Sequence, residues 1–176
     1  MDNFHEEIVV KKNRTLNNLL FAILNVLMVL FALIAAFLLS TIMAGFTIYA
    51  LVMLLVSGGM AFLIFWKRDA LRTEYEYTFT NGELDFARVL GNNKRKNLGS
   101  MRVRNVEALG YVSGKNFNRY VSMPGIEKSN WFLNRDANLF YFYYNKDSKR
   151  RIIVIEPTDE MVKMIKQYAA HGAYQD

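Results

Sequence analysis

The chain divides into an uncharged apolar block and a longer remainder in which apolar and polar residues alternate. From Thr15 to Trp66 it carries no Asp, Glu, Lys, Arg or His. A membrane-spanning helix needs about 20 predominantly apolar residues, and uncharged stretches of that length are rare in soluble helices. The block therefore predicts two membrane-spanning helices, at about 18–39 and 46–66, joined by a short turn near 40–47.

Basic residues flank the block on both sides, whereas the predicted turn carries none. They are Lys11, Lys12 and Arg14 before the block and Lys67, Arg68 and Arg72 after it. Short loops rich in Lys and Arg stay in the cytoplasm. We therefore expect a multi-pass protein of the bacterial cytoplasmic membrane with both termini cytoplasmic. A cleaved signal peptide is excluded because the start is acidic and the apolar run is too long.

Small residues recur along both predicted helices. They are Ala32, Ala36 and Ser40 in the first helix and Ser57, Gly58 and Ala61 in the second. Small side chains let helix backbones approach closely in lipid. We expect these residues to pack the two helices on each other, or alternatively to join copies of the chain into an oligomer through the same faces. Asn25, the one amide deep in the first helix, is expected to hydrogen-bond across the hairpin.

From Glu74 onward the period changes to the alternation of a β-strand. Asn81-Gly82 follows a run of alternating aromatic residues and supplies the two positive-φ residues of a type I′ turn. Folding the chain around this turn places Phe79 opposite Leu84 and Tyr77 opposite Phe86. The sequence therefore predicts a β-hairpin with a specified register.

Further short apolar runs predict strands at about 94–98, 106–112, 131–133, 139–144 and 151–155, while 113–130 has no clear pattern. The run 139–144 is apolar on both faces, which is typical of a strand in the middle of a closed sheet. Thr158 then begins a helix with an apolar stripe formed by Met161, Met164, Ile165 and Tyr168. The predicted organisation is an N-terminal cytoplasmic segment 1–14, the two helices within 15–66, a linker 67–73, a β domain 74–170 and a tail 171–176.

This order of elements, with the basic third strand and the stretch Leu98-Gly99-Ser100-Met101-Arg102-Val103-Arg104-Asn105-Val106, resembles bacterial pleckstrin-homology-like (PH-like) domains. The whole chain also resembles a family of short bacterial membrane proteins with a two-helix anchor, which brings no assigned activity. The resemblance implies an antiparallel β-barrel or sandwich of about seven strands with a closing helix. In eukaryotic relatives, basic residues of the first hairpin hold phosphoinositide, whereas the turn here, Thr80-Asn81-Gly82-Glu83, is not basic.

The reactive residues indicate no enzyme. The chain has no Cys and two His, and neither His5 nor His171 lies where a catalytic triad or zinc site would place it. We therefore expect a non-enzymatic protein without metal or cofactor. No RNP-like signature accompanies the interleaved basic and aromatic residues, so no nucleic-acid partner is expected.

The net charge of +6 arises entirely after Trp66, because three basic and three acidic residues precede the block. Two basic clusters stand out in that region: Lys94, Arg95 and Lys96, and Lys149, Arg150 and Arg151. A cation close to an anionic leaflet gains about 1 kcal/mol. The clusters are therefore candidates for binding lipid headgroups, and the alternative is that they are solvated turn residues.

These observations predict a membrane-anchored binding or scaffolding module. Its cytoplasmic domain would contact anionic lipid headgroups or a membrane protein partner. The alternative is an accessory subunit of a larger membrane transport or secretion complex, docking through the helical hairpin.

Overall fold

A computed structural model describes residues 3–91 and 93–175, which form two compact units. The first unit, here called the β domain, contains the residues up to Lys12, Glu74–Val89 and the residues from Arg95 onward. The second, the helical unit, contains Asn13–Thr73 and Leu90–Lys94. The β domain is therefore discontinuous in sequence, because the helices are inserted between its first strand and the rest of it.

The helical unit consists of α1, Thr15–Ala44, and α2, Ile48–Lys67, followed by a 3₁₀ turn at Arg68–Arg72. Both helices are long and apolar enough to cross a membrane. The predicted spans lie within them, apart from two residues before α2. Thr47 caps α2, because its Oγ1 accepts a hydrogen bond of 3.4 Å from the backbone N–H of Ala50.

The partly buried residues of α1 recur at alternating spacings of four and three, the pattern of two helices packed side by side. They include Asn17, Phe21, Leu24, Met28, Phe31, Ala35 and Leu38. On α2 the corresponding residues are Leu54, Ser57, Ala61 and Ile64, of which Ser57 is buried. Ala32, Ala36 and Ser40 lie outside this row and are exposed. The contact of α1 with α2 therefore uses larger side chains on α1 than the small residues that the sequence suggests.

The first sheet of the β domain has the strand order β1-β2-β3-β4, with β1 at Phe4–Val9, β2 at Thr73–Thr80, β3 at Glu83–Leu90 and β4 at Lys94–Arg102. β1 lies antiparallel to β2, from Phe4 opposite Thr80 to Val9 opposite Tyr75. The sequence pattern contains no signal that predicts β1. Asn81 and Gly82 have φ of 48° and 88°, as the predicted turn requires, and the rings of Tyr77 and Phe86 meet edge to face at 5.9 Å.

The second sheet has the order β5-β7-β8-β6, with β5 at Ala108–Tyr111, β6 at Glu127–Trp131, β7 at Phe140–Lys146 and β8 at Lys149–Ile155. The described strands thus form two four-stranded sheets, so only the barrel form of the expected β-barrel or sandwich is wrong. The all-antiparallel order is also wrong, because β6 pairs parallel with β8. β7 comes between these two strands in the chain, and no local turn pattern specifies a pairing that skips a strand.

Two helices complete the β domain: α3 at Phe117–Val121, within the stretch that the sequence left open, and α4 at Asp159–Tyr168. The main core joins both sheets and α4 through fully buried side chains, among them Tyr77, Phe79, Leu84, Phe140, Phe142, Met161 and Ile165. A second cluster, including Tyr120, Tyr141 and Tyr143, packs α3 on the second sheet. β7 is therefore buried on both faces, as its sequence indicates.

Ala173 and Gln175 form part of the fold, whereas the sequence predicts a tail at 171–176. The backbone N–H of Leu109 donates to the carbonyl of Ala173 at 2.9 Å, and the N–H of Gln175 donates to the carbonyl of Leu109 at 2.8 Å. A Cβ on Gly110 would lie 2.0 Å from the carbonyl oxygen of Gln175. Glycine at this position therefore permits the chain end to cover the edge of β5.

Candidate anion-binding site

A groove of about 490 Å³ lies beside the β2–β3 turn. It takes residues from the turn, from the end of β4 and the segment after it, and from α4. Its lining residues are Thr80, Asn81, Gly82, Glu83, Arg102, Arg104 and Tyr168.

The two arginines of the groove are placed by one backbone hydrogen bond. The N–H of Val103 donates to the carbonyl of Gly82 at 2.9 Å, which ties the end of β4 to the turn. Val103 is fully buried, whereas Arg102 and Arg104 on either side of it are exposed. Both guanidinium groups therefore project from the segment that contacts the turn.

The turn itself is held by the N-terminal segment and α4. The side-chain oxygen of Asn81 accepts a hydrogen bond of 3.0 Å from the N–H of Asn3, and Asn3 Nδ2 donates to the Tyr168 hydroxyl at 3.0 Å. A Cβ on Gly82 would lie 2.5 Å from Cδ1 of Tyr168. Only glycine fits at this point, where φ is also positive. The groove is therefore part of the packed fold.

The charge of the groove is positive. Arg102 Nε lies 3.9 Å from Glu83 Oε2, and both side chains are largely exposed, so this pair is weak. Among the residues that the structure describes, Arg104 has no ion-pair partner. Guanidinium groups beside the amide and hydroxyl of Asn81 and Thr80 are suited to binding phosphate or carboxylate oxygens.

The basic clusters that the sequence suggests are mostly paired with acidic side chains. Lys94 Nζ lies 3.1 Å from Asp69 within the helical unit, and Arg95 Nε lies 2.8 Å from Glu76 within the β domain. Lys149 and Arg151 both contact Glu127, at 2.7 and 3.1 Å. The hydrogen bond from Lys149 lowers the pKa of Glu127 below its usual value. Lys96 and Arg150 are exposed, and the two clusters lie on different sheets.

The pairing does not exclude headgroup binding by these clusters, which stays a prediction. β4 is an edge strand, and charged side chains on an edge also prevent pairing with other chains. Sequence reasoning missed Arg102 and Arg104 as site residues, although both lie in the stretch 98–106 that carries the family resemblance. Because the two arginines alternate with Met101 and Val103, the sequence indicates that the arginines are exposed. No nearby residue indicates that Val103 contacts the turn.

A second polar network fastens β1 to the rest of the β domain. The Glu156 carboxylate accepts hydrogen bonds from the backbone N–H groups of Leu133 and Asn134, at 3.2 and 2.9 Å, and from Asn134 Nδ2 at 2.7 Å. The Asn134 side chain also bonds the Val10 carbonyl at 2.9 Å and the Lys12 N–H at 2.8 Å. These contacts hold the chain just before the helical unit.

Glu7, on β1, reaches the start of α4. One of its carboxylate oxygens accepts hydrogen bonds from the N–H and the hydroxyl of Thr158, at 3.0 and 3.1 Å. Burial raises the pKa of Glu7, and the bonds from Thr158 oppose that shift. Within residues 3–91 and 93–175 no group of three or more His, Cys, Asp or Glu side chains is placed to hold a metal ion.

The two-sheet fold with a C-terminal helix agrees with a comparison against protein families. The family model described as bacterial PH-like domain (DUF6106) matches residues 1–175, and the chain belongs to this family. The match includes β1 and both apolar helices. The resemblance to bacterial PH-like domains is thereby confirmed, and PH-like domains are generally binding modules without enzymatic activity. No curated protein and no solved structure matched the chain.

Proposed function

We propose that this protein is a membrane-anchored binding module whose β domain holds the phosphate of an anionic lipid headgroup in the groove beside the β2–β3 turn. The observation that carries the proposal is the placement of Arg102 and Arg104 next to the turn by the Val103–Gly82 hydrogen bond. The two basic clusters supply a weaker, less specific attraction to the anionic membrane surface. They are Lys94, Arg95 and Lys96, and Lys149, Arg150 and Arg151.

The connectivity of the β domain supports the membrane topology in this proposal. β1 precedes α1, β2 follows α2, and the two strands are antiparallel neighbours. Both ends of the helical unit therefore lie on one side of any membrane that the helices cross. Basic residues flank the helices, so this side is the cytoplasmic one in our proposal.

The test uses the full chain in nanodiscs of a neutral phospholipid, titrated with a soluble inositol phosphate by calorimetry. We expect saturable binding that weakens as salt is added, because the contact is ionic. The double variant Arg102→Gln/Arg104→Gln should abolish binding. The matched double variant Lys128→Gln/Arg135→Gln, at exposed positions outside the groove and both basic clusters, removes the same charge and should retain it. Equal loss in both variants, or no binding by the wild type, would overturn the proposed site.

The alternative, an accessory subunit that docks through its helices, is favoured by one observation. Ala32, Ala36 and Ser40 are exposed and lie outside the row of residues that packs α1 on α2. Small residues at this spacing allow a further helix to approach closely. Photo-crosslinking from position 36 in native membranes would recover a discrete partner if this alternative holds, and lipid adducts alone if it does not.

A further inference from the structure

The apolar block and the polar contacts of the helical unit place the membrane surface at different positions. By sequence alone the first helix enters the hydrocarbon near its beginning, because its first charged neighbour is Arg14. In the structure, charged groups that follow α2 lie beside residues well inside this block.

Arg68 is the deepest of these charged groups. Its Nη1 donates a hydrogen bond to Asn25 Oδ1, across the two helices as predicted for Asn25, and lies 3.7 Å from the sulfur of Met28. Its guanidinium also lies over the rings of Phe21 and Phe65, at 5.8 and 5.1 Å. Arg68 is therefore level with the eleventh residue of α1.

More polar groups lie beside the turns of α1 that precede Asn25. Arg72 lies 3.8 Å from the centre of the Phe21 ring, and Asn17 Nδ2 donates to the carbonyl of Leu71 at 2.9 Å. Asp69 pairs with Lys94 at 3.1 Å, and the N–H of Gly91 donates to the carbonyl of Arg72 at 2.9 Å. Residues 15–24 thus lie beside three charged side chains, Asp69, Arg72 and Lys94, and beside a non-helical backbone segment.

Helix lengths agree with a boundary at Asn25. At 1.5 Å per residue, the full α1 is about 45 Å long, whereas the part after Asn25 is about 28 Å and α2 is about 30 Å. The hydrocarbon core of a bilayer is about 30 Å thick. Trp66 and Lys67, adjacent to Arg68, form a cation–π pair at 4.8 Å, and tryptophan prefers the membrane interface.

We propose that the cytoplasmic surface of the bilayer meets the helical unit at Asn25 and Arg68, where the exposed side chains of Lys67 and Arg72 contact lipid phosphates. This proposal rests on the membrane anchoring proposed above. Residues 15–24, although mostly apolar, then stand outside the hydrocarbon, and we call them the stem. Immersing the stem would bury Leu16, Leu19, Leu20 and Ile23 in lipid. It would also draw the charged groups level with them into the hydrocarbon, which costs more.

The test is cysteine accessibility, which suits a chain without native cysteine. Leu16→Cys and Leu19→Cys probe the stem, and Leu33→Cys and Phe37→Cys probe the hydrocarbon. These four side chains are exposed to similar extents, from 57% to 68%, so the surrounding medium determines their reactivity. Each variant is labelled with an impermeant maleimide in vesicles open to both sides. Phe46→Cys, in the turn between α1 and α2, is the positive control, and labelling after unfolding normalises the rates.

We expect the two stem positions to react about tenfold or more faster than Leu33→Cys and Phe37→Cys, because maleimide needs a hydrated thiolate. Protection at all four positions would overturn this proposal while leaving the membrane anchor intact. Labelling at all four would overturn the membrane anchor itself. The three outcomes are therefore distinguishable.

Discussion

The two units of this protein are stabilised internally by different kinds of contact. In the helical unit, α1 and α2 are consecutive in sequence and pack through residues of α1 that are spaced alternately three and four positions apart. Many of their large apolar side chains are exposed. In the β domain, the partners are distant in sequence, and specific hydrogen bonds and fully buried rings join them. β1, for example, pairs with a strand that begins more than 60 residues later. The helices are therefore inserted in a domain whose strand pairing requires the segments on both sides of them.

The largest effect on the folding of the β domain should come from deleting β1, the strand that precedes the helices. A chain that begins at Asn13 lacks β1, exposes the buried edge of β2 and loses the contacts of Glu7 and Asn134, so we expect no cooperatively folded β domain. Replacing residues 13–72 by a short Gly-Ser linker should instead give a soluble folded domain, because β1 and β2 are adjacent and antiparallel. Circular dichroism and thermal melting distinguish the two. A stable domain without β1 would contradict the account.

Equivalent apolar truncations should differ between the units. Leu84 is fully buried in the β domain, so Leu84→Ala should cost about 2–5 kcal/mol in the free energy of unfolding. Leu33 on α1 is 61% exposed, and in the proposed membrane anchoring it would contact lipid. Leu33→Ala should therefore change stability by less than about 0.5 kcal/mol. Unfolding in detergent micelles measures both variants, and similar losses would remove the contrast between the units.

The network that fastens β1 should be the next most sensitive feature. Glu156→Ala leaves three donors without their acceptor and should cost about 2–3 kcal/mol, since hydrogen bonds to a charged group are strong. Glu160→Ala, an exposed control in the same region, should have little effect. Denaturant unfolding of the linker-joined domain measures both. Equal costs would show that the network does not stabilise the domain.

Glu7 should give the smallest effect, visible as a dependence on pH. Its pKa in the folded state is raised above the usual value of 4.5, so the folded state binds this proton more tightly than the unfolded state. Stability should therefore fall as pH rises from about 4.5 through the raised pKa. Glu7→Gln keeps an acceptor oxygen for Thr158 and removes the titration, so its stability should depend less on pH. Identical slopes in wild type and variant would contradict this role of burial.

Local patterns predicted the parts of the fold that depend on neighbours in sequence. Asn81-Gly82 specified its hairpin because both residues tolerate positive φ, and Thr158 specified the start of α4 because its hydroxyl caps the helix. The uncharged block specified two long helices. Each of these signals lies within a few residues of the structure that it determines.

The parts that sequence did not predict depend on distant partners. β1 has Glu6 and Glu7 at its centre, and nothing nearby indicates that β2 is its partner. The parallel pairing of β6 with β8 skips β7. The hydrogen bonds of Leu109 on β5 to Ala173 and Gln175 join residues that are far apart in sequence. The groove was missed for the same reason, because Arg102 and Arg104 reach the turn only through the folding of β4.

The central claim is that the strand before the helices pairs with the strand after them, and a cysteine crosslink tests it most directly. Ile8 lies opposite Glu76, whereas Phe4 lies opposite Thr80, four residues further along β2. The full chain carrying Ile8→Cys with Glu76→Cys should form a disulfide in native membranes under mild oxidation, seen as faster migration on a non-reducing gel. The chain carrying Phe4→Cys with Glu76→Cys should not. Failure of the first pair, or equal crosslinking of both, would contradict the claim.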